Sequence, residues 1–265
     1  MKEELIQLKN VSYSVEDEQL SLSKGMTADI LFDINFTVYE EEVLGICGES
    51  GGGKSTLAKL IAGIIKPTKG ELILNDKLST NDNNPNAIQI LFQNNSNLIN
   101  PYRKVGDVID EAIKLCGTSN DSFNERKAKL FETLNINKEL AERRGYELSG
   151  GERQRVALAR LIAVKPKVLI LDEPFSAQDV TSQLNFVKVL KRLNEEFSVT
   201  MICISHDLKI LRKFAHTVIV LQNGRIVEIA DTSKIFASPE HPYTKFLLSA
   251  EEFSLTEEEI HTKSN

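Results

Sequence analysis

Cysteine is scarce: Cys47, Cys116 and Cys203 are too few and too scattered for a disulfide framework or a cysteine-built metal site. Cys47 and Cys203 lie in apolar, strand-like runs, where they read as small core filler in a reducing compartment. Long hydrophobic runs are missing as well. Nowhere do about eighteen apolar residues follow one another, so the chain is not expected to span a membrane. The opening Met1-Lys2-Glu3-Glu4 has no apolar signal core behind it, which points away from secretion. Basic charge is in deficit. A net charge of -6 with no basic run speaks against nucleic acid as a partner. The remaining composition, 41% hydrophobic and 26% charged over 265 residues, suits a globular protein of one large or two small domains.

What is present centres on Gly48-Glu49-Ser50-Gly51-Gly52-Gly53-Lys54-Ser55-Thr56, a glycine, four residues, then Gly-Lys-Ser. An apolar run, Val43 to Cys47, precedes it as a buried strand, and Thr56 to Ala62 follows with helical spacing. That context makes it a P-loop rather than a chance glycine-rich turn. Backbone N–H groups of Gly48, Ser50, Gly51 and Gly53 can turn onto phosphate oxygens, and the helix beginning at Lys54 adds the positive end of its dipole. Lys54 would reach the β- and γ-phosphates of ATP, and Ser55 would place its hydroxyl on Mg2+.

Alternating apolar residues predict strands over Leu5–Val15 and Ile30–Val38, with a polar loop at 16–29 between them. Further strands are expected at Glu71–Leu74 and Ala87–Phe92, the second ending at Gln93, with an exposed turn at 81–86. From Val105 to about Val164 the periodicity becomes helical: Val108, Ile109, Ala112 and Ile113 share one face, Leu130 and Leu134 another. Val168-Leu169-Ile170-Leu171 then delivers Asp172 and Glu173 at the end of a strand that reads as parallel and buried. In P-loop proteins such a first acid holds Mg2+ and the next can polarise the attacking water. Val199–Ser205 is a similar strand ending at His206, and Asn223-Gly224 marks a hairpin between Val218–Leu221 and Arg225–Ile229.

Leu148-Ser149-Gly150-Gly151-Glu152 opens a helical run at Val156–Arg160, so hydroxyl, amides and dipole can form a second phosphate-binding surface. With the P-loop, Gln93, Asp172-Glu173 and His206, this resembles the ATP-binding cassette family from Leu5 to Ala250. The resemblance implies an α/β P-loop NTPase with a mixed-sheet core, an antiparallel β-subdomain and an inserted helical subdomain. It sets the core at 1–93 and 165–232, the helical subdomain at 94–164, a C-terminal helix at 233–250 and a polar tail at 251–265. It implies that Ser149, Gly150 and Gly151 cap the nucleotide of a second ATPase subunit, the same or a related chain. Tyr13 resembles the aromatic that stacks on adenine, though a plain strand tyrosine explains it equally. Gln93 matches the glutamine that touches Mg2+ and the attacking water, and His206 the histidine that contacts the γ-phosphate. Ser176-Ala177-Gln178-Asp179 matches the loop crossing between subunits, although Gln178 stands where leucine is more usual.

Two stretches resemble one branch of that family, the peptide and nickel importers: Phe92 to Pro101, and Ser238-Pro239-Glu240-His241-Pro242-Tyr243-Thr244-Lys245. The branch implies an ATPase subunit that energises import of peptides, nickel or nickel chelates at the cytoplasmic face of the inner membrane. It would be a peripheral subunit, with two transmembrane permease subunits and, indirectly, an extracytoplasmic solute-binding protein as partners. No cysteine-rich tail follows Cys203, unlike some peptide-importing members. Two other classes compete: a soluble cassette ATPase acting on DNA or ribosomes, and a P-loop kinase. The first usually has two cassettes or a long coiled coil, and the second has no use for the Leu148–Gly151 stretch. Leu98, Ile99 and Tyr102 are expected either to anchor a cytoplasmic helix of the permease or to clamp their own loop down.

Overall fold

Two strands with alternating apolar residues set up the first sheet. A computed structural model describes residues 2–16, 27–78, 86–93, 98–116, 120–176 and 179–250. In it β1 (Glu4–Glu16) lies antiparallel between β2 (Thr27–Tyr39) and β4 (Lys69–Leu74). Leu5, Ile6, Leu8 and Val11 are buried from β1, and Leu31, Ile34, Phe36 and Val38 from β2. Register shifts interrupt the β1–β2 pairing, and Asn10 and Asp33 adopt positive φ, 50° and 51°. Asn35 Oδ1 accepts the Asn10 amide at 2.8 Å and Ser12 Oγ that of Asp33 at 3.0 Å, so local side chains satisfy backbone donors at the irregularity.

Contacts divide the chain into two compact units, Met1–Leu74 with Ile202–Asn265, and Asn75–Met201. The first unit contains that sheet together with β3 (Val43–Gly48) and α1 (Lys54–Ile61). Strand β3 runs parallel to β8 (Thr217–Gln222), from Leu44 opposite Thr217 to Gly48 opposite Leu221. Asn223 and Gly224, at φ 48° and 72°, turn β8 into antiparallel β9 (Arg225–Asp231), as the Asn-Gly pair predicts. The last residues of β7 (Thr200–Ile204) belong here too, and Ser205 N donates to Ile46 O at 3.0 Å. All residues of β3 and β7 are buried, the pattern of strands enclosed on both faces. Helices α7 (Leu208–Arg212), α8 (Thr232–Ala237) and α9 (242–250) complete the unit.

In the second unit β5 (Ile88–Leu91) pairs in parallel with β6 (Val168–Asp172), Leu91 opposite Leu171. Around them stand α2 (Val105–Lys114), α3 (Asn120–Thr133), α4 (Lys138–Glu142), α5 (Gly150–Ala163) and α6 (Val180–Phe197). Val108, Ile109, Ala112, Ile113, Leu130 and Leu134 are all buried, as their spacing predicts.

The two units divide at 74/75 and 201/202, and within the second β5 and β6 pair with each other while α5 packs on β5, α2 and α3. The C-terminal helix expected at 233–250 is broken into α8 and α9. Pro239 cannot continue a helix, whereas Pro242 suits the first position of a new one. Helix α6 has no counterpart in the reading of the sequence, although Phe186, Val187, Leu190 and Leu193 carry helical spacing and are buried. Most of the expected loop at 16–29 and of the turn at 81–86 lies outside the described residues. Among the described residues no helix is long and apolar enough to cross a membrane.

Candidate nucleotide site

Close approach of two parallel strands dictates the start of the phosphate loop. A Cβ on Gly48, at φ 149°, would sit 2.0 Å from the Leu221 carbonyl oxygen, so only glycine can end β3 beside β8. Gly52 N donates to Glu49 O at 3.2 Å, and Gly53, at φ 95°, is the N-cap of α1 without any side-chain cap. The first turn of α1 has no acidic residue either, so its amides and dipole face outward for an anion. Lys54 is buried, and its ammonium donates to the carbonyls of Gly48 (2.9 Å) and Glu49 (2.8 Å), neither of which cancels its charge. Ser50 and Ser55 are exposed and Thr56 is half-buried.

The same unit holds two further candidates. Tyr13 is half-buried on β1 opposite Leu31, and Leu31 Cδ2 lies 2.7 Å from where a Cβ on Gly53 would be. A short path through β2 thus joins Tyr13 to the loop. His206 is exposed immediately beyond Ser205, whose amide is tied to Ile46 of β3.

The second unit carries the acids and the glycine pair. Asp172 ends β6 and is buried, while Glu173 is half-buried at φ 51°, in the left-handed region that non-glycine residues rarely occupy. The Glu173 carbonyl accepts from the amide (3.3 Å) and hydroxyl (3.0 Å) of Ser176. The next carbonyl, Pro174 O, accepts from the buried Gln154 side chain of α5 at 2.5 Å. Gln154 was not among the residues singled out from the sequence; its signal is a glutamine on the apolar face that also carries Leu158 and Leu161. Gln93 is exposed two positions after β5, and 94–97 lie outside the described residues.

Ser149 caps α5 in a reciprocal box. Its hydroxyl donates to the Glu152 carboxylate at 2.9 Å and accepts the Glu152 amide at 3.3 Å, while its own amide donates to that carboxylate at 2.9 Å. The Ser149 amide, then its hydroxyl, hold the Glu152 carboxyl below its ordinary range against the effect of burial. This helix N-terminus is therefore already served by a carboxylate, unlike that of α1. Gly150 and Gly151 are exposed, and a Cβ on Gly150 would meet nothing within 4 Å. Asp179 caps α6: its carboxylate accepts the Ser182 amide at 2.9 Å and the Ser182 hydroxyl at 2.7 Å, bonds that hold its pKa low. Ala177 and Gln178 lie outside the described residues.

Beside these residues the second unit has a cleft of 810 Å³ between the loop at 98–102 and the turn at Gly145–Glu147, with Arg153 and Arg160 on its wall. A Cβ on Gly145 would stand 2.8 Å from Asn100 O, and Tyr146 N donates to Pro101 O at 3.0 Å, so the two segments are laced together. Ile99 is buried and belongs to that lacing, whereas Tyr102 is 75% exposed and Tyr146 58%.

A glycine loop over a buried lysine, between a buried parallel strand and an uncapped helix, is the arrangement of a P-loop nucleotide-binding protein. Comparison with known proteins narrows the class. The family model described as ABC transporter matches residues 31–176. An oligopeptide transport ATP-binding protein, OppF of Bacillus subtilis, is 35% identical over 94% of this chain and 83% of its own length. A dipeptide transport ATP-binding protein, DppF of Haemophilus influenzae, is 36% identical over 86% of this chain and 72% of its own. Among solved structures, cbiO1 of Clostridium perfringens, part of an ABC transporter complex, superposes with a TM-score of 0.77 at 26% identity, covering 89% of this chain and 92% of that one. A dimeric ATP-binding cassette in a post-hydrolysis state with ADP and phosphate gives 0.70 at 26% identity, over 86% and 99%. The chain belongs to the ABC transporter family, and it is an ATPase.

Proposed function

We propose that this chain is the ATP-hydrolysing subunit of a peptide importer, peripheral to the cytoplasmic face of the membrane and docked on two permease subunits. The observation that carries the ATPase chemistry is the buried Lys54 beneath a glycine loop that leaves the start of α1 uncapped. The named relatives are oligopeptide and dipeptide transport proteins, which favours peptides over nickel and transport over work on DNA or ribosomes.

In this reading the loop amides and Lys54 bind the triphosphate, and Tyr13 stacks on the base. The donor set of Ser55 hydroxyl, Gln93 side-chain oxygen and Asp172 carboxylate is all hard oxygen, which fits Mg2+, and these residues would hold it. That ion supplies positive charge against the phosphate oxygens. Glu173 takes the proton of the attacking water, and His206 contacts the γ-phosphate. A second ATPase subunit presents Ser149, Gly150 and Gly151 to the same nucleotide, with Asp179 at the crossing between subunits. For that the Ser149 hydroxyl must turn from Glu152 to a phosphate oxygen, since its one proton is now given to the carboxylate.

The cleft beside Tyr102 and Tyr146 receives a cytoplasmic helix of the permease. Exposed tyrosines at the rim of a concave surface are suited to anchor an interface, whereas Ile99 only packs the loop. Replacing Tyr102 and Tyr146 together by Ala should cost about 2 kcal/mol or more of association, roughly thirtyfold, while ATP binding by the isolated subunit persists. The assay is co-purification with the permeases and peptide uptake in cells. Full assembly and uptake by the double variant would move the docking surface elsewhere.

A further inference from the structure

The end of the chain returns to the phosphate loop. Glu228 of β9 is buried, and its carboxylate accepts the amides of Glu240 (2.9 Å) and His241 (3.0 Å), fixing the segment between α8 and α9. Pro239 and Pro242 restrict that segment further, and Lys234 pairs with Glu240 at 2.5 Å. The residue this arrangement presents is Tyr243, half-buried in the first turn of α9, whose phenol oxygen accepts the amide N–H of Glu49 at 3.0 Å across 194 positions of sequence.

The bonded group is the peptide joining Gly48 to Glu49. Its carbonyl end accepts the Lys54 ammonium at 2.9 Å, and its amide end, pointing the opposite way across the trans plane, meets Tyr243. The peptide is thus held at both edges. When phosphate oxygens draw the ammonium away from the Gly48 carbonyl, the phenol is the tie that stays. Burial raises the Tyr243 pKa, which keeps the phenol neutral while it accepts.

We propose that Tyr243 is a positioning residue for nucleotide binding: it fixes the Gly48–Glu49 peptide so that the loop amides are already aimed when the triphosphate arrives. The inference rests on the reading of Gly48–Thr56 as the nucleotide site. Without the phenol that peptide must be ordered at the expense of binding, a cost that falls on affinity and not on the chemical step.

The test is Tyr243→Phe in the full chain, which removes the acceptor and keeps the ring. Titration with a fluorescent ADP analogue and steady-state ATP hydrolysis give Kd, KM and kcat, and a thermal melt gives Tm. The expected result is a rise of about fivefold in Kd and KM, the worth of one neutral hydrogen bond, with kcat changed less than about twofold. The Glu49 amide proton resonance should shift upfield. A fall in Tm with Kd and KM unchanged would make Tyr243 a mere anchor of α9 and overturn the proposal. Equal loss in kcat and kcat/KM would also overturn it, because it would place the residue in the chemical step. Failure of the unmodified chain to bind the analogue would instead remove the nucleotide-site reading on which the proposal stands.

Discussion

Glu173→Gln separates charge from geometry at the proposed catalytic turn. Two features make Glu173 costly where it stands: its φ of 51° and the proline that follows it. A left-handed non-glycine residue costs about 1–2 kcal/mol, and a following proline opposes any compact backbone at that position. The turn pays this because Ser176 bonds the Glu173 carbonyl twice and Gln154 bonds that of Pro174. None of these bonds involves the carboxylate. Gln has the same length and the same backbone preferences and its side-chain oxygen can still accept a hydrogen bond, so the turn should form and Tm should stay near that of the unmodified chain.

What changes is the base. An amide has no basic oxygen to take the proton of the attacking water. General-base catalysis is worth about 10²–10⁴ in rate, or about 3–5 kcal/mol at about 1.4 kcal/mol per decade. Phosphate release under saturating Mg-ATP should therefore fall by that factor with nucleotide affinity preserved. ATP-dependent dimers should build up on size-exclusion chromatography, since binding without hydrolysis leaves nothing to reopen them. Turnover within about threefold of the unmodified chain would remove Glu173 from its role. A collapse in Tm would show instead that the carboxylate supports the turn, and the argument from backbone bonds would be wrong.

Lys54→Ala should weaken ADP-analogue binding by about a hundredfold, the loss of charge-assisted bonds worth about 3 kcal/mol; unchanged Kd in the same titration would refute the phosphate-loop assignment. Glu228 makes a prediction about acid. Burial pushes its carboxyl up, but the amides of Glu240 and His241 and the other donors around it outweigh burial, and its pKa stands below the ordinary value. Its contribution to stability is therefore full above the unfolded glutamate pKa and lost as pH falls through the lower folded one. Tm of the chain should exceed that of Glu228→Gln near neutral pH, with the gap closing on acidification. A gap independent of pH would exclude the carboxylate charge as its source.

The parts of the fold that could be read from the sequence are those whose signal is local. Val43–Cys47 and Val168–Leu171 are continuous apolar runs, as is Met201–Ile204 within Val199–Ser205, and such runs have few homes other than strands enclosed on both faces. Asn223-Gly224 fixes its own turn because both residues tolerate positive φ. The break between α8 and α9 is also local, since Pro239 cannot continue a helix and Pro242 suits the start of the next. Division into units was not legible, because it depends on which strands pair, and parallel partners are set by packing far away in sequence.

The site divides along the same line. Glycine spacing, a lysine and two acids after an apolar strand are chemistry displayed in order along the chain, and each could be assigned a role from its neighbours alone. The hydrogen bonds that orient those groups come from residues whose own surroundings say nothing about the task. Gln154 looks like one more polar residue on a helix until its amide is found beneath the turn that carries Glu173. Ser149 looks like a free hydroxyl beside two glycines until Glu152, three positions on, accepts its hydrogen bond. The second case follows from a local rule, since a serine followed three residues later by glutamate at a helix start is a capping box. The first does not, for a side-chain amide can serve any carbonyl the fold brings within 3 Å, and only closure of the chain decides which one. Support for a catalytic residue is therefore to be sought among buried polar side chains on neighbouring elements, where an unmet hydrogen bond costs enough to force a specific partner.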